Sequence, residues 1–372
     1  MLGASYFFAI DKLALVNTPF GKSYRQFLLT ATDAVPERII IESGSNSLHS
    51  IDAQMLEQHF GRPTIIIADN AGYPLRHKIE RLANHLKKDD LVIMPLEWLQ
   101  YRTDAVLPKD YVLSLLDQEG SNAFYYRELP WLQKLRFVYQ SVPFRLGLQR
   151  IFSLNGLASA NEQIGAASNA ALARFDQAIR MQSRGSELTD TRPVMDALTA
   201  GISCDHYLFG FWTLPTISDT FRENLQLLAR LRQTSGAKIL FAWPVVVARD
   251  NDECYQLLRE PIRDHVAQIK ELVEQQGFSF VGSPEQSRYD HNCMLDTYYH
   301  ITASCAVIHT QKLITWLDQQ GVARESGFEQ LLMEQHLLDF LQSYRDVPPS
   351  SLPPIAPRIK PFHHLRQRHI GE

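Results

Sequence analysis

A serine, a histidine and an aspartate held in line can break an ester. The serine hydroxyl is a poor nucleophile near neutral pH. It needs a general base, and the base needs a group to orient it. In this 372-residue chain, Glu42-Ser43-Gly44-Ser45-Asn46-Ser47 sets Ser45 in a glycine turn as a candidate nucleophile. Far downstream, Asp296-Thr297-Tyr298-Tyr299-His300 carries a carboxylate and an imidazole four residues apart. At that spacing they meet on one helical turn or across a tight loop, so one ring nitrogen can face Asp296 and the other Ser45. The negative oxygen that forms during acyl transfer needs hydrogen-bond donors. Candidates are the backbone N–H groups of Ser45 and Gly72, and the side-chain amides of Asn46 and Asn70. Glu97, Trp98 and Tyr101 add a carboxylate and aromatic faces of the kind that stack on pyranose rings, which makes them candidate substrate-binding residues.

Each of these residues has a plainer reading. Ser45 can be a turn residue or a cap. His300 can be a buried, hydrogen-bonded histidine beside two tyrosines, and Asp296 can cap its loop. Gly72 can serve turn geometry alone, and Glu97 with its aromatic neighbours can be a packed strand end. His49 and His77 read as surface residues or as supports behind the site. Cys305, close to His300, reads as a buried structural thiol rather than a nucleophile.

The elements that must position these groups form an alternating pattern. Short β-branched runs flanked by polar breakers suit buried parallel strands at Arg38–Ile41, Thr64–Ala68, Leu91–Met94, Lys238–Trp243 and Phe278–Val281. Helical patterns lie between and after them, at Ile51–Phe60 with Ser50 as N-cap, Leu75–Lys87, Thr220–Gln233, Pro261–Gln276 and Ile308–Gln320. Gly236 fits a C-terminal stop. The expected fold is an α/β, three-layer α/β/α arrangement around an open, mainly parallel five-stranded sheet of flavodoxin-like type. In such sheets ligands bind beyond the carboxyl ends of the strands. The loops carrying Ser45, Gly72 and Glu97 all follow strands, so they are expected to converge.

The expected organisation is a single domain over residues 1–345, interrupted by a mostly helical insertion at about 102–218. This insertion holds Phe124, Tyr125, Tyr126 and Trp131, with an Ala/Asn-rich helical stretch near Ala158–Arg180. Residues 346–372 form a Pro-rich, basic tail that reads as a solvated segment or a docking segment. Composition narrows the classes further. With 45% hydrophobic and 21% charged residues the chain can bury a large core, which excludes a disordered protein. A net charge of −4 argues against a nucleic-acid partner. The four cysteines, at 204, 254, 293 and 305, are too scattered for a zinc cluster. No nucleotide-binding glycine motif and no H-E-x-x-H occurs, and pairs such as Asp205/His206 and His363/His364 are too sparse for a metal site. No cofactor or metal is therefore expected. The apolar run Leu2–Ile10 is too short to span a bilayer and lacks the frame of a signal peptide.

Taken in order, these blocks resemble the SGNH (GDSL-like) hydrolase superfamily, and within it the branch of bacterial envelope-polysaccharide O-acetyltransferase-like proteins. Ser43-Gly44-Ser45-Asn46-Ser47-Leu48-His49-Ser50-Ile51-Asp52 is similar to the first block of that branch, Asn70-Ala71-Gly72 to the second, and Asp296 to His300 with Thr302 and Thr310 to the last. The resemblance covers roughly residues 38–101 and 220–320. It implies a serine-dependent esterase or O-acyltransferase with Ser45 as nucleophile, Asp296 and His300 as acid and base, and Gly72 as oxyanion donor. It also implies an ester or polysaccharide substrate, envelope-assembly partners and a cell-envelope or periplasmic setting. Two departures stand out. Where the superfamily's third block offers an asparagine, this chain has Glu97, which accepts hydrogen bonds. The glycine common after the final histidine is replaced by Ser304-Cys305. A catalytically inactive binding or assembly protein is the alternative, supported by the missing asparagine.

Overall fold

The computed structural model describes residues 24–102, 131–141, 170–191, 216–248, 253–325 and 330–345, together with residues 3, 5–8, 144, 145 and 148. The expected Pro-rich tail, Phe124 to Tyr126, Cys204, Asp205/His206 and most of the insertion lie outside the described residues.

In chain order the main elements are α1 (Tyr24–Ala31), β1 (Ile39–Ile41), α2 (Ser45–Leu48), α3 (Ala53–Phe60), β2 (Thr64–Ile66), α4 (Leu75–Ala83), β3 (Leu91–Met94), α5 (Leu99–Arg102), α6 (Trp131–Ser141) and α7 (residues 170–180). They continue with α8 (Asp219–Ser235), β4 (Lys238–Ala242), β5 (Val246–Val247), α9 (Glu253–Gln275), β6 (Ser279–Val281), β7 (Arg288–Tyr289), α10 (Ala303–Gln319) and α11 (Gln330–Arg345).

Five strands form one sheet in the order β2-β1-β3-β4-β6, every pair parallel. Ile39 sits opposite Thr64 on one side and Leu91 on the other, which fixes the register of the first three strands. Because strand side chains alternate between faces, the apolar runs divide into two cores. Ile40, Ile65, Val92, Met94, Ile239 and Phe241 face α1, α4, α8, α9 and α11. Ile39, Ile41, Ile66, Ile93, Leu240 and Ala242 face α3 and α10. The chain steps outward from β1 to β2 and then returns to β3 on the far side of β1. This reversal makes a topological switch point at the carboxyl ends of β1 and β3, the place where an α/β sheet accepts ligands.

Several boundaries differ from the sequence expectation for local reasons. Asp52, not Ser50, caps α3, because its carboxylate accepts from the Gln54 and Met55 N–H groups at 2.9 and 3.2 Å. Helix α9 begins at Glu253 and runs through Pro261 rather than starting there. Ser218 caps α8, accepting from the Phe221 N–H, and Gly236 closes the helix in the left-handed region at φ 74°. Thr302 caps α10. A second, two-stranded sheet, in which β5 pairs parallel with β7, was not expected from the sequence.

The described part of the insertion is helical in α6 and α7, then becomes a strap over residues 181–191. The strap runs along the free edge of the main sheet, where Ile66 donates its N–H to the Arg184 carbonyl at 2.8 Å. The Arg184 guanidinium bonds Glu57 of α3, with both side chains fully buried. Farther on, Glu187 N–H donates to the Leu48 carbonyl, and Ala303 N–H donates to the Thr189 carbonyl.

Candidate active site

Ser45 opens α2, separated from the end of β1 by Glu42, Ser43 and Gly44, and is half-buried. Its hydroxyl lies 2.9 Å from His300 Nε2 across 255 positions of sequence. On the other side of the ring, His300 Nδ1 is 2.7 Å from Asp296 Oδ1. The carboxylate can only accept there, so Nδ1 carries the hydrogen and Nε2 is left to accept from Ser45.

The His300 loop is held at both ends. The β5/β7 sheet anchors its entry, since Val247 N–H donates to the Tyr298 carbonyl. Leu295 N–H donates to the His300 carbonyl, and Met294 and Ile301 form an antiparallel bridge. A disulfide joins Cys293 to Cys305 at a Cα separation of 5.8 Å, closing residues 294–304 into a ring that contains both Asp296 and His300. The expected buried thiol at Cys305 is thus one half of a bridge. The two residues lie too far apart in sequence for a C-x-x-C pattern to reveal the pairing.

Electrostatics favour a neutral His300 ring. Burial pushes the His300 ring below the usual imidazole range and the neighbouring His49 adds to this, while Asp296 opposes both. Asp296 itself is half-exposed. Burial pushes its carboxyl up, but the His300 hydrogen bond and charge outweigh that and hold it below the usual carboxylate range.

Glu97 explains the shape of the turn that carries Ser45. Its side chain is buried, and its carboxylate accepts from Gly44 N–H at 2.9 Å, Asn46 N–H at 3.2 Å, Asn46 Nδ2 at 3.2 Å and Ser43 Oγ at 3.1 Å. Gly44 is required by this closeness, because a Cβ there would overlap the Glu97 carboxylate and the Ala71 backbone. The carboxylate thus does for the turn what a row of backbone acceptors would otherwise do. As an expected substrate-binding residue Glu97 needs correction, since all of its acceptor capacity is turned inward. Trp98 and Tyr101 are likewise buried. Trp98 stacks on Trp243 with centroids 5.4 Å apart, and Tyr101 packs edge-on against Phe221. Neither offers a face to a sugar.

The four expected oxyanion donors divide in the same way. Ser45 N–H opens a helix and, among the described residues, has no acceptor. The Asn46 amide is buried and already donates to the Pro95 carbonyl at 2.9 Å, which removes it from the set. Gly72 N–H donates to Asn70 Oδ1 at 2.7 Å, an Asx turn. Asn70 is exposed at the rim of the site.

Behind both loops lies a buried cluster of two cationic and two carboxyl side chains. Lys78 of α4 donates to the Ser43 carbonyl at 2.8 Å, to the Asn70 carbonyl at 3.2 Å, and to Asp69. Arg81 forks onto Glu42 at 2.7 and 2.8 Å and reaches Asp69 at 2.9 Å. Burial pushes the Asp69 carboxyl up, but Lys78 and Arg81 overcome it and hold the group at about 2. One ammonium thus ties the Ser45 turn to the Gly72 turn.

Sequence reasoning missed the strap. Glu187 and Arg25 form an ion pair beside the site, and the Glu187 carbonyl accepts from His49 Nδ1 at 2.8 Å. His49 lies against His300, with ring centroids 4.3 Å apart. The only sequence signal was that His49 falls four residues after Ser45, one turn on. His77, the other histidine singled out as a support, is fully buried in α4.

Among the described residues, no group of three or more potential ligands is placed to hold a metal ion, and no helix is long and apolar enough to cross a membrane. No protein-family model matches the chain, and no curated protein matches it.

Proposed function

We propose that the protein is a serine-dependent ester hydrolase or O-acyltransferase working through an acyl-enzyme on Ser45. The observation that carries the reading is the unbroken hydrogen-bonded line from Ser45 Oγ through His300 to Asp296, assembled from distant parts of the chain, with Ser45 beside the sheet's topological switch point.

In the forward step Ser45 Oγ attacks the ester carbonyl carbon and its proton passes to His300 Nε2. Asp296 holds the ring and stabilises the imidazolium. The tetrahedral intermediate collapses as His300 gives the proton to the departing alcohol oxygen. Water or a sugar hydroxyl then attacks the acyl carbon and loses its proton to His300, which returns it to Ser45 as the serine leaves. The oxyanion is received by Ser45 N–H and by Gly72 N–H, which the substrate oxygen takes over from Asn70 Oδ1.

The resemblance to envelope-polysaccharide O-acetyltransferases supports an acylated glycan as substrate. The Cys293–Cys305 bridge supports an oxidising compartment such as the periplasm. A second reading, a non-catalytic binding or assembly protein, draws on the oxyanion donors, because Asn46 is committed and Gly72 is capped. Turnover of an activated acetyl ester separates the two. The first reading expects hydrolysis abolished in both Ser45→Ala and His300→Ala. No turnover by the folded wild-type protein selects the second.

A further inference from the structure

We propose that His49 is a positioning residue for the Ser45–His300–Asp296 centre: fixed by the strap, it lies against the His300 ring and, when it carries a proton, keeps a second proton off the base. This rests on the acyl-transfer reading.

The geometry separates the roles of the two rings. The Glu187 carbonyl can only accept, so His49 Nδ1 carries a hydrogen in either charge state. The exchangeable proton of His49 therefore sits on Nε2, 3.9 Å from Glu187 Oε2, and a protonated His49 gains a carboxylate neighbour. His300 must stay neutral at Nε2 to receive the Ser45 proton. With centroids 4.3 Å apart and planes tilted by 42°, two imidazolium rings would repel strongly, so a charge on His49 opposes a second charge on His300.

The surroundings of the two rings differ. His300 is buried, whereas His49 is only half-buried. Glu187 of the strap faces the pair from one side and Asp296 of the acid–base loop from the other. Among the described residues, Arg25 of α1 is the cation that meets this group, and it is paired with Glu187. A charge carried by His49 lies beside Glu187 and against the His300 ring, and it extends the range over which His300 is a competent base toward acid. Burial and the His49 charge both push His300 in that direction.

The test uses the full-length protein as wild type, His49→Gln and His49→Lys. The glutamine can keep a donor toward the Glu187 carbonyl but cannot be charged, while the lysine keeps a positive charge. Imidazole titrations are followed by NMR, and acylation by p-nitrophenyl acetate is followed against pH. In His49→Gln, His300 is expected to protonate at higher pH, and acylation at a fixed pH on the acid limb to fall roughly threefold or more. His49→Lys is expected to keep the limb at or below the wild-type position. Coincident His300 titrations in wild type and His49→Gln overturn the proposal, as does a rate loss uniform across pH. The NMR titration needs no turnover, so a failed acyl-transfer reading is distinguishable from a failed role for His49.

Discussion

Replacing Glu97 by glutamine separates a structural carboxylate from a substrate-binding one. The carboxylate receives two backbone N–H groups, one side-chain amide and one hydroxyl, all buried. A glutamine must point its NH2 group at one side of this set. Turned toward Ser43, the NH2 group can donate to the hydroxyl oxygen, but Gly44 N–H loses its acceptor. Turned toward Asn46, it strands the Asn46 N–H, while the Asn46 side-chain amide retains the Pro95 carbonyl. Either way one buried backbone donor is orphaned, which costs about 1–3 kcal/mol, and the remaining bonds lose their charge assistance. Against a total stability of about 5–15 kcal/mol this is a visible fraction. Differential scanning calorimetry should find Glu97→Gln melting roughly 2–6 °C below wild type. Because the orphaned donor sits next to Ser45, acylation by an activated ester should slow with KM little changed. An unchanged melting temperature together with a raised KM would refute the reasoning and return Glu97 to the substrate.

Other outcomes follow from the same geometry. Lys78→Met leaves Asp69 short of one buried partner and should lower stability by about 3–5 kcal/mol, read by chemical denaturation. Removing the disulfide by paired Cys293→Ser and Cys305→Ser substitution frees a loop with ends 12 residues apart, which should cost about 3 kcal/mol and slow acylation by releasing Asp296 and His300; equal acylation rates would contradict the pinning role. His77 and His309 are buried and stay neutral down to about 3, against an ordinary value of 6.5. The unfolded chain therefore binds more protons in that window, so stability is full above about pH 6.5 and falls as pH drops toward 3. A melting temperature independent of pH there would contradict the burial of these rings, and His309→Gln should flatten the slope.

Much of this was legible in the chain. The five β-branched runs became the five strands of the main sheet because buried parallel strands need continuous apolar sequence, and their order fixed which loops share an edge. That Ser45 follows a strand and that Asp296 and His300 precede the helix α10 was legible in the chain, whereas the hydrogen-bonded line joining the three is seen only in the structure. The inward-facing role of Glu97 was hidden, since nothing in Pro95-Leu96-Glu97-Trp98 tells whether a carboxylate turns toward solvent or toward a neighbouring turn. Trp98 and Tyr101 look alike as core and as sugar platform until Trp243 and Phe221 are seen against them. The strap was illegible for a different reason. It carries no periodic pattern, and its contacts with Ile66, Leu48 and Ala303 run mainly through backbone groups that every residue possesses.

The central claim is that the Ser45 hydroxyl is an activated nucleophile, and fluorophosphonate labelling tests it most directly. The folded protein is incubated with the probe between about pH 6 and 9, digested, and the modified peptide identified by mass. The account predicts a single adduct on Ser45, absent in Ser45→Ala and strongly reduced in His300→Ala. A wild-type protein that stays unlabelled across that range, or a label that persists in Ser45→Ala, would contradict it.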